Sequence, residues 1–133
     1  MLNELAKEIH KTAVEHGWWN LAPSFGEVVA LCHSELSEAL EEYRDGRPML
    51  WRKCMTSEGD TPCMEGGCGD WTDSVCELSC LSPKPEGIAV EMADCIIRIL
   101  DWAAHEGVDM DAVVKAKMEY NRTRPYRHGG KKL

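Results

Sequence analysis

One segment narrows the fold more than any other. From about Gly87 to His105 the chain is apolar over most of a helix's circumference: Ile88, Val90, Met92, Ala93, Cys95, Ile96, Ile97, Ile99, Leu100, Trp102 and Ala103. A helix of that kind is expected to be buried centrally. Its one polar stripe is Glu91, Asp94, Arg98 and Asp101. Glu91 and Asp94, three residues apart, share a helical face and aim two carboxylates the same way. Burying unpaired carboxylates is costly, so a cation or a proton must compensate.

A second acidic pair repeats the spacing. Glu35 and Glu38 lie in a helical stretch from about Pro23 or Ser24 to Arg44, with Ser24 as N-cap. There Phe25, Val29, Cys32, Leu36, Ala39 or Leu40, and Tyr43 form an apolar stripe. Beside it runs Val28, Leu31, Glu35, Glu38 and Glu42, which begins apolar and turns acidic. Glu35 and Glu38 are therefore expected to border the core, although Glu-x-x-Glu on a helix is often only a solvated face. Asp94 has a local alternative in Arg98 at i,i+4. Four carboxylates from two facing helices form a site of hard oxygen ligands, which suits Mg²⁺ or Mn²⁺. The absence of a Glu-x-x-His pattern disfavours a di-iron bundle. Carboxylate-held Mg²⁺ points in turn to phosphoryl chemistry.

Two further helices complete the set. One runs from about Leu2 to His16, with Leu2, Leu5, Ala6, Ile9 and Ala13 on one face and Gly17 as terminator. The other, about Met110 to Asn121, starts at Asp109 after Gly107 and offers Met110, Val113, Val114 and Tyr120 to a core. Trp18, Trp19 and Phe25 flank helix starts, where packing is the expected role and stacking on a base the alternative. Pro125 and Gly129-Gly130 mark an irregular tail.

The 133 residues make one domain with a modest core, at 44% apolar content. A net charge of −8 argues against general nucleic-acid binding. The segment from Arg122 to Leu133 nevertheless has five basic residues and no acid: Arg122, Arg124, Arg127, Lys131 and Lys132. An acidic body with a basic end can hold a metal and grip phosphates, and a solvated tail is the plain alternative. With no signal-like core in Met1 to His10 and no long apolar run, the expectation is a soluble cytoplasmic protein without membrane contact.

Three stretches resemble the all-α nucleoside triphosphate pyrophosphohydrolases, the MazG-like family. His33-Ser-Glu-Leu-Ser-Glu-Ala-Leu-Glu-Glu-Tyr-Arg44 resembles its first metal motif. Lys84-Pro-Glu-Gly-Ile-Ala-Val-Glu-Met-Ala-Asp-Cys-Ile-Ile-Arg-Ile-Leu100 is similar to its Glu-x-x-Asp motif. Lys117-Met-Glu-Tyr-Asn-Arg-Thr-Arg-Pro-Tyr-Arg-His-Gly-Gly-Lys131 is similar to its C-terminal signature.

The resemblance implies a single MazG-like domain over residues 1–133. It implies an all-α four-helix bundle that forms homodimers or homotetramers. It implies Mg²⁺-dependent hydrolysis of a nucleoside triphosphate between the α and β phosphates, giving a monophosphate and pyrophosphate. Carried over position by position, Glu35, Glu38, Glu91 and Asp94 would hold the metal. Glu38 and Glu41 would serve the catalytic step, Glu41 by activating water or supporting a ligand. Lys117, Asn121, Arg122 and Arg124 would contact the substrate. Another pyrophosphate-containing metabolite is the narrower alternative.

The chain departs from the family pattern in a long Cys-rich insertion, residues 46–86, expected as a loop between helices two and three. Cys54, Cys63, Cys68, Cys76 and Cys80 would permit a structural Zn²⁺ knuckle, with free thiols or disulfides as alternatives. Cys32 and Cys95 are expected to be core residues. A rival of another class follows from the insertion: a non-catalytic interaction module whose zinc loop contacts a partner.

Overall fold

The computed structural model describes residues 1–56, 59–62 and 84–125, with side chains outside 52–62. Four helices account for most of it, as the periodicity anticipates: α1 Leu2–Glu15, α2 Phe25–Arg44, α3 Ile88–His105 and α4 Met110–Arg122. Their ends follow local chemistry. Ser24 caps α2 through a reciprocal capping box with Glu27, and Asp109 caps α4 through Ala112 N–H. Gly17 and Gly107 end α1 and α3 at φ 78° and 67°. Both close a Schellman motif, in which Trp18 N–H reaches Ala13 O and Val108 N–H reaches Ala103 O.

The segment expected as a loop holds regular structure at its two ends. Strands β1 Trp51–Thr56, β2 Gly59–Pro62 and β3 Lys84–Glu86 form an antiparallel sheet of order β2-β1-β3. The register sets Lys53 opposite both Pro62 and Lys84, and Trp51 opposite Glu86. Trp51 begins β1 with its indole N–H donated to Glu42 Oε2 at 2.7 Å and Arg47 over its ring. With its turn residues and mixed polarity, the segment shows no clear period-2 signal. β1 pairs with the sequence-adjacent β2 and with the sequence-distant β3.

The described residues fall into two units. One comprises Met1–Pro23 and Ile99–Leu133, the other Ser24–Arg98. In the first, Ala6 and Ala13 of α1 and Leu100 and Ala103 of α3 are buried. The Asp111 carboxylate accepts from Met1, Leu2 and Asn3 backbone nitrogens, tying the start of α4 to the start of α1. Asp101 accepts the Trp19 indole N–H at 3.0 Å and lies 2.7 Å from His10 Nδ1. Trp19 stacks on His105 at 4.0 Å. Trp19 therefore packs, whereas Trp18 and Phe25 are exposed.

In the second unit the buried side chains among the described residues are Val28, Ala39 and Cys95 together with three acids, Glu35, Glu86 and Glu91. This overturns two expectations. Phe25, Val29, Leu36, Leu40 and Tyr43 of the apolar stripe of α2 are exposed and only its Ala39 is buried, while Val28 and Glu35 of the stripe that turns acidic are buried and its Leu31 and Glu38 are exposed. On α3 the inward face carries Glu91 and Cys95, while Met92, Ile96, Ile97 and Ile99 are exposed, Ile96 by 53%. Amphipathic patterning alone would turn the polar stripe of α3 outward; the cross-helix contact of Arg98 with Glu35 holds that stripe against α2 instead. On α1 the expected face is kept except at Leu5, which is exposed. On α4 Val113 and Tyr120 are exposed and no residue is buried.

Candidate metal centre

α2 and α3 bring three of the four expected carboxylates together. One oxygen each from Glu35, Glu38 and Glu91 lies within 4.8 Å of the others. The local spacing explains the pairing on α2, since residues 35 and 38 share a face. Glu35 is 5% exposed and Glu91 7%, whereas Glu38 stands at the solvent side, accepting from Ser34 Oγ at 3.1 Å.

Arg98 compensates Glu35. Its Nε donates to Glu35 Oε1 at 2.6 Å and its Nη2 approaches the same oxygen at 2.5 Å. The second oxygen of Glu35 lies outside that pair. The local alternative of Arg98 with Asp94 at i,i+4 is not the contact formed.

Glu91 has no such relief. Among the described residues it accepts no hydrogen bond and has no cation within ion-pair distance. Burial, followed by the charges of Glu38, Asp94, Glu86 and Glu35, pushes its pKa up to about 7. Asp94 is half-buried and stands outside the converging trio. Burial lifts its pKa and Glu35 adds to the rise, while Arg98 and Lys84 act against it. A site that pushes protons onto its carboxylates at neutral pH is one in which a divalent cation can replace them. All donors are carboxylate oxygens, a set suited to Mg²⁺ or Mn²⁺.

Two residues to which the sequence reading gave no role stand beside the site. Glu86 is 9% exposed, and Lys84 Nζ lies 2.7 Å from its Oε1. Residues i and i+2 of a strand share a face, which brings these two together. Their short strand, next to prolines, left no periodic signal. Arg98, the cross-helix partner of Glu35, lay in the polar stripe, but pairing between helices is not written in spacing within one helix.

The other expected site residues are distributed as follows. Glu41 is exposed on α2, outside the trio. Lys117, Asn121 and Arg122 lie on α4 and Arg124 just past it, all exposed and all in the unit of Met1–Pro23 and Ile99–Leu133. Lys117 Nζ sits 4.9 Å from the Tyr120 ring centre, and Arg122 pairs with Glu119. Cys32 and Cys95 are free thiols, half-buried and buried. Burial pushes the Cys32 thiol pKa up, with Cys95 adding. Of the candidate zinc ligands, Cys54 falls on β1 with its side chain outside the described residues, and Cys63, Cys68, Cys76 and Cys80 lie outside them altogether. No described helix is long and apolar enough to cross a membrane.

Compared with known protein families, with curated proteins and with solved structures, the chain finds no match.

Proposed function

We propose that the chain is a Mg²⁺-dependent nucleoside triphosphate pyrophosphohydrolase of the MazG-like kind, cleaving between the α and β phosphates. The observation that carries this reading is the convergence of Glu35, Glu38 and Glu91, the first and last of them buried residues, with one carboxylate oxygen from each within 4.8 Å of the others. Such a group calls for a cation. The sequence resemblance of the three motifs, in order along the chain, supplies the reaction class.

Glu35, Glu38, Glu91 and Asp94 would hold Mg²⁺, or Mn²⁺ in its place, which when bound neutralises phosphate charge and makes coordinated water more acidic. Glu91 would release its proton to water when it takes a cation as ligand. Arg98 fixes Glu35 through Oε1, and Oε2 stays outside that pair. Glu38, on the solvent side, is suited to orient water, with Glu41 one turn further along α2 in support. The sequence resemblance gives Lys117, Asn121, Arg122 and Arg124, which lie in the other unit, the contacts to phosphates and sugar. The exposed line Met92, Ile96 and Ile99 on α3 suits coverage by another copy of the chain in a homo-oligomer.

The test is a Mg²⁺-dependent screen of common and modified triphosphates that reports pyrophosphate and orthophosphate separately. Pyrophosphate with a nucleoside monophosphate is the expected product pair. Orthophosphate as the sole inorganic product contradicts α–β cleavage.

A further inference from the structure

We propose that Lys84, held by the buried Glu86, is a phosphate-gripping cation of the carboxylate site, an assignment that rests on the pyrophosphohydrolase reading above. A divalent ion offsets only part of the charge of four carboxylates. A triphosphate entering that field therefore needs further positive charge close by.

The described cations of the Ser24–Arg98 unit differ in what they can offer. Arg44 is exposed at the C-terminal end of α2, on the helix that carries Glu35 and Glu38 and not on the segment leading to Glu91. Arg98 has Nε and Nη2 committed to Glu35. The Arg47 guanidinium lies over the Trp51 ring, 5.3 Å from its centre. Lys84 holds Glu86 and is 62% exposed along its side chain, whereas that of Glu86 is only 11% exposed. The ammonium thus stands at the boundary between a buried carboxylate and water. It has three N–H donors; one satisfies Glu86 and two remain for phosphate oxygens.

The backbone gives this placement little slack. β3 is laddered to β1, with Lys84 opposite Lys53 and Glu86 opposite Trp51. Gly87 follows at φ 112°, so close to the Pro48 and Met49 carbonyls that a Cβ would meet them at 2.9 and 2.7 Å. Ala89 N–H then bonds Met49 O at 3.0 Å as α3 begins. The strand that carries Lys84 is therefore locked to the helix that carries Glu91 and Asp94. Both of those acids act on the Lys84 ammonium, after the larger effect of Glu86 itself. An ordinary surface ion pair would explain the Lys84–Glu86 contact alone, and it gives phosphate no role.

Calorimetric titration of the full chain separates the two. Tripolyphosphate in saturating Mg²⁺ is one probe and Mn²⁺ alone the other. Lys84→Met is expected to weaken tripolyphosphate binding about tenfold and not to weaken Mn²⁺ binding, since Lys84 is no metal ligand and loss of a cation acting on Asp94 favours a divalent ion. Lys84→Arg keeps the charge and is expected to restore most of the loss. Wild-type affinity in Lys84→Met overturns the assignment and leaves the pyrophosphohydrolase reading standing, as does a loss in Lys84→Arg equal to that in Lys84→Met. A wild-type protein that binds Mn²⁺ but no tripolyphosphate overturns both.

Discussion

Arg98 commits both Nε and Nη2 to a single oxygen of Glu35, although Asp94 lies one turn away on its own helix. The contact joins α3 to α2 through Oε1 and leaves the other oxygen of Glu35 outside the pair. It also accounts for the orientation of α3, because a buried carboxylate on α2 needs a cation and Arg98 is placed to supply it.

Arg98→Met should therefore strand Glu35. In the absence of divalent ions it is expected to cost about 2 kcal/mol of stability, at the lower end for a buried pair because Arg98 is partly exposed. Urea unfolding measures it. Added Mn²⁺ should recover part of the loss, since a bound cation takes over the compensation. An unchanged urea midpoint would show that the pair is not structural.

Glu91 sets a pH dependence whose sign is fixed by its shift. Its pKa is about 7 in the folded chain against 4.5 for the ordinary carboxyl. Between those values the folded state binds more protons than the unfolded one, so stability from this group is full below pH 4.5 and lost as pH rises through 7. The loss is roughly 1–3 kcal/mol. Mg²⁺ affinity should rise over the same window, because the ion displaces the proton. Glu91→Gln should flatten the apo stability profile between pH 4.5 and 7. A variant that keeps the wild-type slope assigns the titration to another group.

Glu38→Gln and Asp94→Asn address activity rather than stability. Glu38 is exposed, so its loss should leave the helical circular dichroism intact, and Asp94→Asn should leave it mostly so. Each is expected to lower turnover by about a hundredfold or more. Full activity in both variants removes these carboxylates from the site.

Much of the fold was legible because helix ends are chemically punctuated. Ser24, Asp109, Gly17 and Gly107 mark the boundaries they were read to mark, within a residue or two. The carboxylate site was legible in part, because Glu35 with Glu38 and Glu91 with Asp94 repeat a spacing that shares a face. The inward face of α2 was not, since counting apolar residues favours the stripe of Phe25, Leu36 and Tyr43 over the one of Val28 and Glu35. Hydrophobic patterning assumes that the core is where carbon goes, and here the interior of the Ser24–Arg98 unit holds Glu35, Glu86 and Glu91. Lys84 and Glu86 stand at the head of the second motif, but a three-residue strand has no period that would pair them.

Gly87 is the hinge on which that strand and α3 depend. Gly87→Ala would place a Cβ 2.7 Å from Met49 O in a backbone region that L-residues rarely adopt. A loss of about 2 kcal/mol or more is expected from strain and steric overlap. Thermal unfolding gives the value, and Mn²⁺ titration shows whether Glu91 keeps its place. A fully stable variant would mean that the β3–α3 junction relaxes freely.

The most direct measurement is product analysis of nucleoside triphosphate hydrolysis in Mg²⁺, comparing wild type with Glu91→Gln. Wild type should release pyrophosphate and a nucleoside monophosphate in equal amounts, and Glu91→Gln should release neither at a measurable rate. Hydrolysis unchanged by the substitution, orthophosphate as the only inorganic product, or no hydrolysis of any triphosphate by wild type would contradict a pyrophosphohydrolase centred on Glu35, Glu38 and Glu91.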